Sequence, residues 1–480
     1  MEKDHKTGSD KVAKAGAGYV IGNYLLKGIT FLSAPIFTRL LTTADFGLYS
    51  TYISYVQIFY IILGIALHSS INNAKYKYKE ELDEYVSSII LMILGSAFIW
   101  TILGNIFFDL FKKPFGFDRV ILNCLIFHCL GDALIQVFNI YVSLNYKVKS
   151  FLRMSSFNAI FNLVLSIILI ITLFNEERYI GRIVGSFLPM GMIGIYIVFY
   201  FFKKARPRFN LDYWKYALKY SLPIVPHGLS QVILSSFDRI MIKSMVNADA
   251  AGIYSFSYTI NSLFLIAATS LEKVWKPWGY EKINEKDYES LRKQATKYAL
   301  GMAFFAMMIM LVAPEIVKVL GDKAYWDSTS CVVPVVIGGY FTFLYSIPSL
   351  VEYAHEKTGY IAVGSACAAT LNIILNYIFI PIFGYIAAAY TTVVTYILYF
   401  MFHYIIAYKI QGFELFETKK LLLISLEVCC VGACSLLAEE WWYVRWLVEI
   451  IVCVMAFFWA DHNFNLVSMI KRKLHKSQQQ

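Results

Sequence analysis

Fourteen apolar runs follow one another along nearly the whole chain, each long enough to cross about 30 Å of hydrocarbon as a helix rising about 1.5 Å per residue. Only short polar breaks separate them. Lipid offers a backbone N–H or C=O no partner, so segments of this length that cross it are helices. The expected spans are 15–41, 48–67, 86–110, 120–144, 151–173, 183–202, 216–246, 252–271, 298–320, 329–350, 361–380, 385–408, 421–437 and 444–460. The fold class is therefore an all-α membrane protein with about 14 transmembrane helices. Composition agrees, because a chain that is 58% hydrophobic and 16% charged has too little polar surface to cover a soluble core of 480 residues. The first twelve residues carry mixed charge with no cleavage pattern after them, so the first span reads as a retained helix and not a signal peptide.

Orientation follows from the distribution of cations. With the amino terminus placed in the cytoplasm, about 31 Lys and Arg fall in inside segments and about 10 in outside ones, with Lys27 and Arg239 left within spans. Both termini are then cytoplasmic. The net charge of +10 is mostly this bias, which excludes nucleic acid as the expected partner. The stretch from Trp275 to Lys297 places Tyr288, Leu291, Ala295 and Tyr298 at helical spacing among charges, the pattern of an interfacial amphipathic helix that anchors the topology or docks a partner. The eight cysteines fall mainly within spans and form no metal or redox motif, so they read as small apolar packing residues. No H-E-x-x-H, Walker loop or nucleophile elbow is present, and neither a metal, a cofactor nor an enzymatic reaction is expected.

Two short matches point to an internal repeat, or else to Gly-aromatic turns and paired asparagines that are merely favoured in helix turns and packing. Gly47-Leu48-Tyr49-Ser50, at the expected outer turn between spans one and two, recurs as Gly252-Ile253-Tyr254-Ser255 between spans seven and eight. Asn158-Ala159-Ile160-Phe161-Asn162 in span five resembles Asn372-Ile373-Ile374-Leu375-Asn376 in span eleven. Both pairs lie six helices apart. An even number gives the halves one orientation, hence two parallel-related six-helix lobes around a cavity. The expected divisions are an N-lobe at 1–206, a C-lobe at 207–410, and two appended helices with a tail at 411–480.

Charges inside spans are costly in lipid and normally face a cavity or a partner. Lys27 shares a face of span one with Asn23, Thr30 and Thr38, and span seven carries His227, Gln231, Ser235 and Asp238. Arg239 and Lys243 lie beside that second stripe, and Arg39 closes the end of span one. Such cations either line a path for an anionic substrate or snorkel to the interface. Pro223 and Pro226 should break or bend span seven, as a gate or as a static kink. His128 and Asp132, four apart in span four, are candidates for ion or proton coupling, or else a satisfied hydrogen-bonded pair.

These residues resemble a known family. Pro35 through Thr38-Arg39-Leu40-Leu41, the Asp45 to Ser50 segment, and Ser221-Leu222-Pro223-Ile224-Val225-Pro226-His227-Gly228 leading to Asp238-Arg239 are similar to polysaccharide-repeat-unit flippases of the MATE-like multidrug/oligosaccharidyl-lipid/polysaccharide exporter superfamily. Ala313-Pro314-Glu315 with Leu320-Gly321, Lys357-Thr358, and the Asn372–Asn376 pair running into Pro381-Ile382-Phe383-Gly384 resemble its later segments. The match covers about the first 410 residues. It implies movement of undecaprenyl-diphosphate-linked oligosaccharides from the inner to the outer leaflet of the bacterial cytoplasmic membrane, for capsule, O-antigen or exopolysaccharide. Implied partners are the lipid-linked substrate, the bilayer, a polysaccharide polymerase and glycosyltransferases. Under this resemblance Lys27, Arg39 and Arg239 would attract diphosphate and sugar acids, and Asn23, Gln231 and His227 would bond sugar. The alternatives are a lipid II flippase, a cation-coupled small-molecule antiporter and a membrane glycan polymerase. Net basic repeat-opening helices argue against the antiporter, and short outside loops against the polymerase.

Overall fold

A computed structural model describes residues 22, 26, 28, 29 and 31–464; Asn23, Lys27 and Thr30 lie outside the described residues. Among the described residues there are helices and turns but no strand. In chain order the α-helices are α1 (Ala34–Leu40), α2 (Thr43–Gly64), α3 (Ile71–Lys77), α4 (Leu82–Ile106), α5 (Phe108–Phe115), α6 (Arg119–Leu144), α7 (Val148–Thr172), α8 (Arg178–Lys204), α9 (Leu211–Ser221), α10 (Ile224–Met245), α11 (Ala248–Asn284), α12 (Tyr288–Leu311), α13 (Ala313–Leu320), α14 (Thr329–Leu344), α15 (Ser346–Ala354), α16 (Thr358–Phe383), α17 (Tyr385–Gln411), α18 (Thr418–Leu437) and α19 (Trp442–Phe464).

Among the described residues, twelve helical stretches are long and apolar enough to cross a membrane, which makes the chain a multi-pass membrane protein. Two of the fourteen expected spans are missing from that number for separate reasons. Most of span 15–41 lies outside the described residues. Span 216–246 is divided at Leu222 and Pro223 into α9 and α10, and α10 carries enough polar residues to fall short of an ordinary membrane helix. The break comes at Pro223, whereas Pro226 sits in the first turn of α10, where a missing N–H costs no helical bond.

The chain packs as two compact units, one comprising 1–255 with 365–388 and the other 256–364 with 389–480. This grouping follows packing, whereas the division at 206 and 410 follows chain order. The first unit is built on buried aromatic and branched residues of α2, α4, α6 and α8, including Tyr52, Tyr85, Ile89, Val137 and Phe201. Its helices meet at small residues. A Cβ on Gly131 of α6 would lie 2.6 Å from the Met190 carbonyl oxygen of α8, a backbone approach that only glycine permits. In the second unit α12 packs against α18 and α19, with the Ser435 hydroxyl donating to the Met310 carbonyl at 2.8 Å.

Two expectations change. Trp275 to Lys297 is not a separate interfacial helix: its first part continues α11 to Asn284 and its second begins α12 at Tyr288. Leu291 and Ala295 are fully buried and Tyr298 meets the buried ring of Trp275, so the helical spacing reports a face packed on protein and not on lipid. The turn between α11 and α12 is fixed by Asp287. Its carboxylate accepts from the Ser290 amide and pairs with Lys282, contacts that hold it below the usual carboxylate range. The Gly47 and Gly252 motifs are likewise not turns but lie in the second helical turn of α2 and of α11.

Candidate functional site

The two repeat motifs meet. A Cβ on Gly47 would lie 1.9 Å from the Ala248 carbonyl oxygen, and a Cβ on Gly252 would lie 1.9 Å from the Thr43 carbonyl oxygen. Each glycine faces the carbonyl four residues before the other, so the contact is reciprocal, as a pseudo-twofold relation requires. The Thr43 hydroxyl donates to the Asp249 carboxylate across it. Capping defines where α2 begins. Asp45 accepts from the Thr42 amide and hydroxyl, Thr42 accepts from the Asp45 amide, and the other Asp45 oxygen accepts from the Tyr179 amide at the start of α8.

Along α10, His227, Gln231, Ser235 and Arg239 recur every four residues and form one polar face that is half-buried to exposed. His227 is hydrogen-bonded to Ser365 at 3.0 Å, and Arg239 donates to the Ser235 carbonyl at 3.0 Å. Asp238 is placed off this face. It is fully buried, with one oxygen accepting from the Tyr254 hydroxyl at 2.6 Å and the other from the Asn376 amide at 2.7 Å. Lys243 is also placed elsewhere, donating to the Gly116 carbonyl at 3.1 Å and lying over the Phe117 ring. Arg39 is exposed and donates back to the Pro35 carbonyl at 2.7 Å. His128 is buried and bonded to the Tyr52 hydroxyl at 3.2 Å, and no hydrogen bond among the described residues joins it to Asp132.

Sequence reasoning missed Arg182, because the expected span began one residue later. It lies in α8, one turn beyond the Tyr179 amide that Asp45 holds. Its guanidinium donates to the Asn162 side-chain oxygen at 2.5 Å and the Ser166 hydroxyl at 2.7 Å, and stacks over the rings of Phe37 at 4.0 Å and Tyr49 at 4.5 Å. The signal was present in Gly181-Arg182-Ile183-Val184-Gly185, a close-packing spacing around a charge. A Cβ on Gly185 would lie 2.3 Å from the Ser166 hydroxyl and 2.5 Å from its Cα, so α8 lies directly against α7 there. Gly185→Val is expected to force the helices apart and cost on the order of 1–3 kcal/mol, read as a lower unfolding midpoint of the purified protein. Glu352, near the end of the expected tenth span, is a lower-ranked candidate of the same kind as His128 and Asp132, and its partner His403 was missed: the two meet, buried in the other unit, at 2.6 Å.

Apolar membrane-crossing helices together with a polar face on α10 define a multi-pass membrane protein that keeps polar groups within a helix of its bundle. Its fold is similar to those of solved membrane proteins. It matches the lipid II flippase MurJ in an inward closed conformation with a TM-score of 0.70 at 17% identity, over 93% of this chain and 98% of that one. It also matches an inward-facing multidrug resistance MATE transporter of the MOP superfamily with a TM-score of 0.64 at 16% identity, over 80% of this chain and 96% of that one. By sequence, a protein of the Lsg locus of Haemophilus influenzae is 23% identical over 392 residues, covering 75% of this chain and 92% of that protein. An uncharacterised membrane protein of Methanocaldococcus jannaschii is 23% identical over 80% of this chain and 94% of its own length. The model of the polysaccharide biosynthesis protein family matches residues 12–279, and the chain belongs to that family.

Proposed function

We propose that this protein is a flippase that carries undecaprenyl-diphosphate-linked oligosaccharide repeat units from the inner to the outer leaflet of the bacterial cytoplasmic membrane, by alternating access of a cationic cavity. The observation that carries this reading is the polar face of α10. A helix of 22 residues within a membrane fold keeps His227, Gln231, Ser235 and Arg239 on one half-buried to exposed face, which lipid would penalise and a hydrated substrate path would not. A diphosphate cannot cross hydrocarbon unaided, and arginine is its natural partner. Family membership supports a role in surface polysaccharide, and the bias of Lys and Arg supports cytoplasmic termini. In this scheme Lys27, Arg39 and Arg239 attract the diphosphate, Asn23, Gln231 and His227 bond sugar, and the polymerase and glycosyltransferases act after and before it.

The test is deletion of the gene in the source cell, followed by complementation with wild type or Arg239→Ala. Loss of surface glycan with lipid-linked intermediates held on the inner leaflet is expected, and Arg239→Ala should restore less than about a tenth of the glycan at normal protein level, a loss of about 1.4 kcal/mol or more. Arrested peptidoglycan synthesis would instead indicate lipid II. Normal glycan with altered drug tolerance would indicate an antiporter.

A further inference from the structure

The repeat's paired asparagines hold opposite charges. In α16 the second asparagine, Asn376, donates its amide to the Asp238 carboxylate. In α7 its counterpart, Asn162, presents its oxygen to the Arg182 guanidinium. None of the ion pairs among the described residues includes Arg182, so its charge is met by an amide, a hydroxyl and two rings but by no carboxylate. It borders a cavity of about 380 Å³ whose wall includes Ser33, Tyr49, Ser155, Asn158 and Asn162. The Asn158 side-chain oxygen in that wall is buried and has no hydrogen-bond partner among the described residues.

We infer that this cavity, within the unit that holds α2, α7 and α8, is a binding site for an acidic sugar, with the carboxylate or phosphate on Arg182 and a ring hydroxyl donating to Asn158. A guanidinium stacked on two rings keeps the face of its fork open to a planar or tetrahedral oxyanion. An acceptor without a partner calls for a donor, which a bare anion lacks and a sugar hydroxyl supplies. The pair selects a hydroxylated anion over either a neutral sugar or a simple ion. Asp45 positions the site by tying the start of α8 to the start of α2, and Gly185 sets the depth at which Arg182 reaches Asn162. That the ligand arrives as part of a lipid-linked glycan rests on the flippase reading; its chemistry rests on the cavity.

The experiment is ligand-observed saturation-transfer NMR on the purified full chain in micelles, with D-glucuronate and D-glucose observed directly and with inorganic phosphate and chloride, which carry no observable proton, read by the concentration at which each displaces the glucuronate signal. Glucuronate is expected to bind at millimolar concentration and glucose to give no signal. Arg182→Gln should weaken glucuronate at least tenfold, with Arg182→Lys intermediate. Asn158→Ala, which keeps the charge in place, should weaken glucuronate about fivefold and leave phosphate unchanged. An undiminished glucuronate signal in Arg182→Gln would overturn the site. So would displacement by equimolar chloride, or an equal loss of phosphate and glucuronate in Asn158→Ala, since either describes a small-anion site. Should Arg182→Gln fail to fold, the Asn158→Ala comparison decides alone. Glucuronate binding by a chain whose deletion leaves surface glycan intact would remove the flippase reading and leave the site; a glycan defect without glucuronate binding would remove the site alone.

Discussion

Gly47→Ala is expected to drive the protein out of the conformation described here. Its new methyl group would meet the Ala248 carbonyl oxygen at 1.9 Å and the Gly252 nitrogen at 2.7 Å, and neither backbone atom can rotate away. The starts of α2 and α11 must separate, and the bond from Thr43 to Asp249 opens with them. Overpacking of this kind costs about 1–3 kcal/mol, which shifts a two-state equilibrium by about 5–150-fold. Gly252→Ala should do the same, since its methyl meets the Thr43 carbonyl oxygen at the same distance. The double variant should cost less than the sum, because both substitutions break one contact. The measurement is the rate at which a water-soluble maleimide labels Asn247→Cys, an exposed position beside the contact, against the same protein without that cysteine. A rate unchanged by Gly47→Ala would show that the contact does not hold the conformation.

Glu315→Ala should loosen α19 from the rest of the second unit. Arg445 of α19 is 3% exposed and forms two parallel bonds with Glu315 of α13, at 2.7 and 2.9 Å, while donating to the Leu311 carbonyl at 2.7 Å. Removing the carboxylate leaves a buried guanidinium with one carbonyl partner, at a cost of about 3 kcal/mol. Arg445→Met, of similar volume and no charge, should cost much less, because it removes the desolvated cation together with its need for a partner. Thermal unfolding of the purified variants separates the two, and equal losses would mean that packing and not charge fastens α19.

Much of this was legible because some patterns survive without knowledge of packing. Length and apolarity sufficed for the membrane helices, and the Gly47 and Gly252 motifs carried their register because close approach leaves glycine no substitute. Ala313-Pro314-Glu315 was visible as a motif but not as half of a bridge, since Arg445 lies 130 residues further on. Facing was less readable. In a helix coated by lipid on one side and protein on the other, apolar residues occupy both faces, and the periodicity that distinguishes them in water fades. Asp238 and Arg239 are neighbours in sequence, yet one is fully buried against Asn376 and the other lies on the polar face of α10. Lys243 had the residue type of a substrate contact, but its carbonyl partner at Gly116 could not be foreseen. Arg182 fell outside the expected span because that boundary, at 183, was drawn at the first apolar residue after it.

The length of α11 has a consequence for the membrane itself. Between Asp249 and Glu272 the helix carries no charged side chain, and these 23 residue steps measure roughly 35 Å along its axis, a little more than the roughly 30 Å of hydrocarbon in an ordinary bilayer. The two carboxylates thus act as a depth gauge. A bilayer much thicker than this stretch would pull Asp249 or Glu272 below the headgroups, and a thinner one would make the helix lean. Gly252, three residues inside the upper mark, then lies at the level where hydrocarbon gives way to headgroups, so the thickness of the surrounding lipid bears directly on the point where the two halves of the repeat touch.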